Sequence, residues 1–360
     1  MTWSLQACLS SVQDALPGSL VTPRTFAIMQ NRSSVLPDVL SHHFFECRLA
    51  HDDHQTDYSG CVSVRDGGRQ LLSKYCDDPP VSTVGWDRVN RLFMRWRQPE
   101  SDLFQKIPLL WLELDEIGEE ANYRSSPCVS VCLSNSFADA TTGEYLPDPK
   151  RQQSYEPWIA SIVKTLMGDS AAAMLDSRLN ACFKHLPNNA EIIYLAIMLP
   201  RSPPAVKISL FLPRQHVIRY LRDINWPASP DALLDILERY CPQQSMLRLD
   251  LRISPERPAR LDVEFFAKGL PDEVSDRNEF LEKLLQDGLC SSEKGRALQS
   301  WTGFEDQILE SQTWYSRINR FWFAKLVLEE DKEPQAKAYL GFTPRRLSPF
   351  SFPLQAENIV

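Results

Sequence analysis

Apolar and polar residues alternate along short segments of this chain, and the segments come in pairs. Residues 42–49 (HHFFECRL) are followed by 61–65 (CVSVR), and 108–117 (PLLWLELDEI) by 127–133 (PCVSVCL). The same happens at 191–199 (EIIYLAIML) and 205–212 (AVKISLFL), at 246–253 (MLRLDLRI) and 259–266 (ARLDVEFF), and at 321–328 (FWFAKLVL) and 335–342 (QAKAYLGF). A period of two marks strands with two unlike faces. Between the pairs, apolar residues recur at helical spacing: Val89, Leu92, Phe93 and Trp96 within 86–96, and Trp158, Ile159, Ile162, Val163 and Leu166 within 155–167. Further helices are predicted over 170–185, 214–224, 231–240 and 278–289. Turn residues such as Pro79-Pro80, Pro203-Pro204 and Gly269-Leu270-Pro271 separate the elements. The order is two strands, two helices, repeated, with no linker long enough to divide residues 1–360, so a single domain of α/β class is expected.

The two strand faces differ in kind. One carries Val62 and Val64, then Leu110, Leu112 and Leu114, Val129 and Val131, Ile208 and Leu210, Leu247 and Leu249, and Leu261 and Val263. That face must pack on helices. The opposite face carries Glu46 and Arg48, Ser63 and Arg65, Trp111, Glu113 and Asp115, Tyr194 and Met198, and Lys207, Ser209 and Phe211. It continues with Arg248, Asp250 and Arg252, Arg260, Asp262, Glu264 and Phe266, Phe323 and Lys325, and Lys337 and Tyr339. An open antiparallel sheet would expose this face to solvent. Ten strands with two bare edges would aggregate, and closure removes the edges. The expected fold is therefore a ten-stranded antiparallel barrel of repeated ββαα units with helices outside. Ten strands leave more lumen than the eight that side chains just fill. The polar face would then line a chamber of mixed charges and aromatic rings, suited to an anionic, partly apolar substrate.

Composition agrees. The 360 residues are 43% hydrophobic and 24% charged, as in a globular protein with a large core. The net charge of −8 gives no basic field for nucleic acid. No run of about 18 apolar residues predicts a membrane span. The first residues, MTWSLQACLSSVQDALPG, lack a basic start and hold Asp14 within their apolar part, unlike a secretory signal. The nine cysteines are scattered and mostly lie in apolar runs, which reads as reduced core thiols in a cytoplasmic protein.

Strand pairs alternating with helix pairs over nearly the whole chain resemble the PT-barrel, or ABBA, family of aromatic prenyltransferases. Segment 44–49 (FFECRL) is similar to the first-strand motif of its indole branch, the dimethylallyltryptophan synthase type, and 110–117 (LWLELDEI) to a later strand of that branch. The resemblance implies a transferase of natural-product (secondary) metabolism that joins an allylic diphosphate to an aromatic, indole-type acceptor. It gives Glu46 the acceptor N–H and Arg65 a place in the diphosphate clamp. Lys207, Arg260 and Lys337 would complete the clamp, while Trp111, Tyr194, Phe211 and Tyr339 would face the allylic cation. The family's Lys-x-Tyr is replaced on the fourth strand by Ser130-Val131-Cys132, and its Arg-x-Lys-x-Tyr on the sixth by Ala205-Val206-Lys207-Ile208-Ser209. The resemblance implies no protein-bound metal, with Mg²⁺ allowed alongside the diphosphate.

Arg48, Arg248, Arg252, Glu264 and Lys325 join the candidate substrate-binding set through their place on the polar face. Glu46, Glu113 and Asp115 are the candidate catalytic carboxylates. A rival reading keeps the barrel and gives it another substrate, such as a peptide to be tailored, with Glu113, Asp115, Asp250 and Glu264 as acids and bases. A third makes the lumen a binding pocket without catalysis. Asp52-Asp53-His54-Gln55-Thr56-Asp57 has the aspartate spacing of a Mg²⁺-diphosphate motif, but it falls between two strands and reads as a hairpin turn.

Overall fold

The alternating segments become strands in the computed structural model, which describes residues 3–79, 82–115, 126–134, 154–200, 205–226, 230–254, 260–265, 274–309, 314–330 and 332–347. The first strands are β1 (His42–Arg48), β2 (Thr56–Ser63), β3 (Leu109–Leu114), β4 (Cys128–Cys132), β5 (Glu191–Met198) and β6 (Ala205–Pro213). They are followed by β7 (Met246–Ile253), β8 (Arg260–Phe265), β9 (Gly303–Ile308), β10 (Tyr315–Glu329) and β11 (Gln335–Arg346). Consecutive strands pair antiparallel from β1 to β8, β8 then pairs with β10, and β10 with β11. The ring closes where β11 returns to β1, with Glu46 opposite Tyr339 and Arg48 opposite Lys337. The predicted ten-stranded barrel is therefore present, with β9 as an extra strand.

Helices wrap the outside: α1 (Leu5–Ser10), α2 (Pro23–Arg32), α3 (Gly68–Asp77), α4 (Val84–Arg97), α5 (Asp102–Lys106) and α6 (Pro157–Met167), then α7 (Asp169–Lys184), α8 (Val217–Asp223), α9 (Pro230–Tyr240), α10 (Val274–Gln286) and α11 (Ser292–Trp301). Leu112, Val131, Leu210 and Leu249 point outward and are fully buried in one core with Trp96, Ile162, Leu179 and Leu284 from the helices. Each such side chain contributes roughly 1.5–3 kcal/mol by leaving water. All nine cysteines are buried and unbridged.

Three boundaries differ from the sequence reading. β2 runs from Thr56 to Ser63, not 61–65, because the chain turns at Gly67, whose φ of +74° favours glycine, and enters α3. β10 and β11 extend well past 321–328 and 335–342. β9 was not anticipated: its residues, GFEDQI, are exposed or nearly so, and without a buried face they carry no strong alternation. Phe266 and the turns at 203–204 and 269–271 lie outside the described residues.

Residues 52–55 of the acidic segment are indeed in the hairpin turn between β1 and β2, while Thr56 and Asp57 already belong to β2, opposite Cys47 and Glu46. The turn is gripped from α11, where the buried Lys294 donates to the backbone carbonyls of Arg48, Ala50 and Asp53. A charged donor shared by three carbonyls ties the turn to α11 more strongly than neutral hydrogen bonds would. Replacing Lys294 by Met should destabilise the fold by about 2–3 kcal/mol, because those carbonyls lose their partner in a dry site. Urea unfolding of the two proteins measures this, with a lower midpoint at unchanged slope as the expected result.

Candidate active site

Strand alternation sends every second side chain of the barrel inward, and the inward residues sort into two layers. The first layer is ionic. A cavity inside the barrel is lined by Glu46, Glu113, Met198, Lys207, Asp250, Arg252, Arg260, Asp262, Lys325 and Lys337. Its centre is the Lys325 ammonium on β10, 3.1 Å from Asp262, 3.7 Å from Asp250 and 3.7 Å from Glu46. Lys337 donates to the other oxygen of Glu46, and Arg48 approaches that carboxylate to 3.7 Å. Arg260 holds Asp262 with two hydrogen bonds of 2.8 and 3.1 Å. Asp250 accepts from Ser209 and lies 3.5 Å from Lys207. Five basic side chains thus line the cavity with four acidic ones, Arg48 adding a sixth base beside Glu46, and the free space among them is about 10 Å³, room for about one water.

The second layer is aromatic and lies one inward position further along the same strands. Phe44 precedes Glu46 by two residues, Phe323 precedes Lys325, Trp111 precedes Glu113, and Tyr339 follows Lys337. The Phe323 and Tyr339 rings stack at 4.6 Å, and Phe44 sets its edge against Phe321 and Phe323 and packs on Trp111. Trp111 donates its indole N–H to the Tyr194 hydroxyl at 3.3 Å, and Phe211 packs against this group. Gly341 makes room for the rings, since a Cβ there would lie 2.5 Å from Phe321 and 2.6 Å from Phe44. Two contacts join the layers: the Lys325 ammonium sits 4.9 Å from the Tyr339 ring centre, and the Arg248–Glu264 pair (3.0 Å) sits beside Tyr194.

The structure therefore brings together Glu46, Glu113, Lys207, Arg252, Arg260, Lys325 and Lys337 around the cavity, with Arg48 beside Glu46. Trp111, Tyr194, Phe211, Arg248, Glu264 and Tyr339 form the adjoining layer. Two candidates stand apart. Arg65 is exposed on the turn after β2, because that strand ends at Ser63. Asp115 follows the last residue of β3, accepts from the Cys128 thiol at 3.5 Å and does not line the cavity. Asp262 and Phe44 belong to the site as well: alternation in the sequence already put both on the inward face, but neither was named among the candidate site residues, because a strand pattern does not show which inward side chains meet.

The electrostatics follow from the pairing. Burial opposes the charge of Glu46, but Lys325 and Arg48 outweigh it and hold the carboxyl low. Lys207 and Lys325 do the same to the buried Asp250. Glu264 goes the other way: burial outweighs its Arg248 partner and lifts it to about 7. A depressed carboxyl stabilises the fold above its unfolded value and loses that contribution as pH falls through the folded one. A raised carboxyl stabilises below its unfolded value and loses that contribution as pH climbs to the folded one.

No protein-family profile and no curated protein sequence matches the chain. Solved structures do. The structure of 5-dimethylallyltryptophan synthase from Streptomyces coelicolor superposes with a TM-score of 0.53 at 16% identity, covering 94% of this chain and 97% of its own. The structure of a 6-dimethylallyl tryptophan synthase gives 0.51 at 11% identity over 97% and 100%. The chain has the PT-barrel fold. Within that PT-barrel, the closed ring of strands and the outer helices match the expectation.

Stability should accordingly lose the Glu46 and Asp250 contribution along an acid limb as these protonate, and the Glu264 contribution along an alkaline limb up to about pH 7, the latter opposed below about pH 6.5 by the buried His43, which burial holds down at about 3. Denaturation across pH tests this. Asp250→Asn should flatten the acid limb and Glu264→Gln the alkaline one.

Proposed function

We propose that this PT-barrel joins the allylic group of an allylic diphosphate to an aromatic, indole-type acceptor. The observation that carries the reading is the stacking of an ionic layer directly on an aromatic layer within one closed lumen. The likeness to two dimethylallyltryptophan synthase structures supports it at the level of fold.

Each layer has a part. Lys207, Lys325, Lys337 and Arg260 take the diphosphate, exchanging carboxylate oxygens for phosphate oxygens. The space for substrate comes from this re-pairing. As the allylic carbon–oxygen bond breaks, its electron pair goes to the diphosphate, and charge-assisted bonds in a dry site stabilise the developing anion. The cation left behind faces Tyr339, Phe323, Trp111 and Tyr194, whose π faces contribute on the order of 1–2 kcal/mol each when desolvated. The acceptor ring supplies the electron pair of the new carbon–carbon bond, and a ring proton leaves to restore aromaticity. Glu264, lifted to about 7, is matched to receive it near neutral pH. Glu46, at the boundary between the layers, is placed to accept the acceptor's N–H once Lys337 has turned to phosphate. With four carboxylates in the ionic layer, a diphosphate brings excess negative charge, which a Mg²⁺ ion travelling with it would offset. In this reading such an ion accompanies the substrate.

One observation favours a second reading. The cations already have carboxylate partners and the lumen is nearly filled, which suits a barrel that acts on, or merely holds, a different ligand.

Incubation with dimethylallyl diphosphate and a panel of tryptophan, indoles and tryptophan-containing peptides, with and without Mg²⁺, separates the two. The expected outcome is diphosphate release coupled to a prenylated acceptor. Lys207→Ala and Arg260→Ala should each weaken donor binding by about 10–100-fold, the worth of a charged hydrogen bond of roughly 1.5–3 kcal/mol. Wild-type protein that binds no allylic diphosphate by calorimetry would leave only the second reading.

A further inference from the structure

The inward face of β10 does not stop at the barrel. Lys325, Phe323 and Phe321 lie in the lumen, and the same alternation continues through Asn319, Arg317 and Tyr315. Over that stretch β10 has left β8, and β9 takes the place of β8 beside it, with Phe304 opposite Asn319, Asp306 opposite Arg317 and Ile308 opposite Tyr315. Opposed residues share a face, and two contacts confirm it: Arg317 forms a bidentate pair with Asp306 at 2.8 Å and lies 4.1 Å from the centre of the Phe304 ring. With β11 on the other side, the three strands form a wall above the aromatic mouth of the barrel.

The two faces of this wall are treated differently. The outer face is covered: Ile318 and Ser316 are buried, Trp3 donates to Ser316, and Gln307 donates to the Ser11 carbonyl. The inner face leaves Phe304 59%, Ile308 54% and Tyr315 45% exposed. Apolar residues are thus set out in solvent on a track that leads into the aromatic layer. β9 is also an edge strand: among the described residues β10 is its only strand neighbour. Its far side has no strand partner among the described residues, and the backbone N–H and C=O groups of such an edge are what a peptide backbone satisfies best. The inner face further sets Arg345 opposite Arg317, giving two arginines against the carboxylate of Asp306.

We infer that this wall is the docking surface for an extended peptide acceptor, which pairs with the open edge of β9 and delivers an aromatic side chain into the barrel. Side chains flanking the acceptor are apolar, to meet Phe304 and Ile308, and one is acidic, to meet Arg317 and Arg345. A second copy of the chain fits less well, because antiparallel pairing of two β9 edges would bring Glu305 and Asp306 of both copies together. The inference rests on the proposed transfer only for what happens to the aromatic side chain. The docking itself does not depend on it.

The experiment therefore reads binding and transfer apart. The probe is a fluorescein-labelled peptide of about seven residues, an ordinary strand length, with a central tryptophan, flanking valines and threonines and one glutamate. Its anisotropy is titrated with the full chain. Saturable binding is expected, weakened at least about tenfold by the double substitution Phe304→Asp, Ile308→Asp and by N-methylation of the probe's backbone. Both positions are exposed, and circular dichroism checks that the variant folds. With dimethylallyl diphosphate present, kcat/KM for the unlabelled peptide should exceed that for free tryptophan by at least about tenfold in the wild type and fall to the free-tryptophan level in the variant. Equal affinity of wild type and variant, or of methylated and plain probes, overturns the docking inference. So does a concentration-dependent dimer, seen by sedimentation, that excludes the probe. Peptide binding with this dependence but no transfer from any allylic diphosphate leaves docking standing and sinks the proposed function.

Discussion

An ammonium group buried at the centre of a barrel has to be surrounded by negative charge, and the rest of this lumen is arranged around that need. An unpaired ion in such a place costs several kcal/mol even after relaxation. Lys325 meets it with carboxylates from three strands: Glu46 on β1, Asp250 on β7 and Asp262 on β8. Each of those carboxylates is in turn held by a further base, Lys337, Lys207 or Arg260. The network is therefore both a charge balance and a set of ties across the ring. Removing one member strands its neighbours, so the layer behaves as a unit.

The same network determines what the lumen can do. Bases that already have carboxylate partners bind an incoming anion by exchange, so affinity is a difference between two sets of contacts. That makes the site selective for ligands with several well-spaced oxygens, which can satisfy Lys207, Lys325, Lys337 and Arg260 together. The aromatic layer beneath adds a surface that stabilises positive charge without a counter-ion. Neither layer alone has this property.

Much of this was legible in the chain. Alternation identified ten of the strands and assigned Leu112, Val131, Leu210 and Leu249 to the outer core, because a face that must meet helices tolerates no polar residue. It also found Lys207, Arg260, Lys325 and Lys337, since charges at inward positions stand out against their neighbours. What it did not give was who pairs with whom. Glu46 and Lys337 are far apart in sequence and meet only through ring closure, and nothing local to either shows the other. β9 escaped for the opposite reason: with no buried face, it leaves no period to read. Arg65 was misplaced because the end of β2 depends on the turn at Gly67, and a strand pattern two residues too long keeps the correct parity.

Ring closure itself governs how the molecule is made. β1 is synthesised early, and its second partner, β11, is among the last described segments to appear. Until then β1 has one open edge, and the inward Glu46 has neither Lys325 nor Lys337. Contacts spanning most of a chain are slow to form, because the entropy of closing so large a loop is lost before any contact offsets it. The first and last strands of this barrel therefore set its folding rate, and the nascent chain depends longest on whatever shields the edge of β1 from pairing with another molecule.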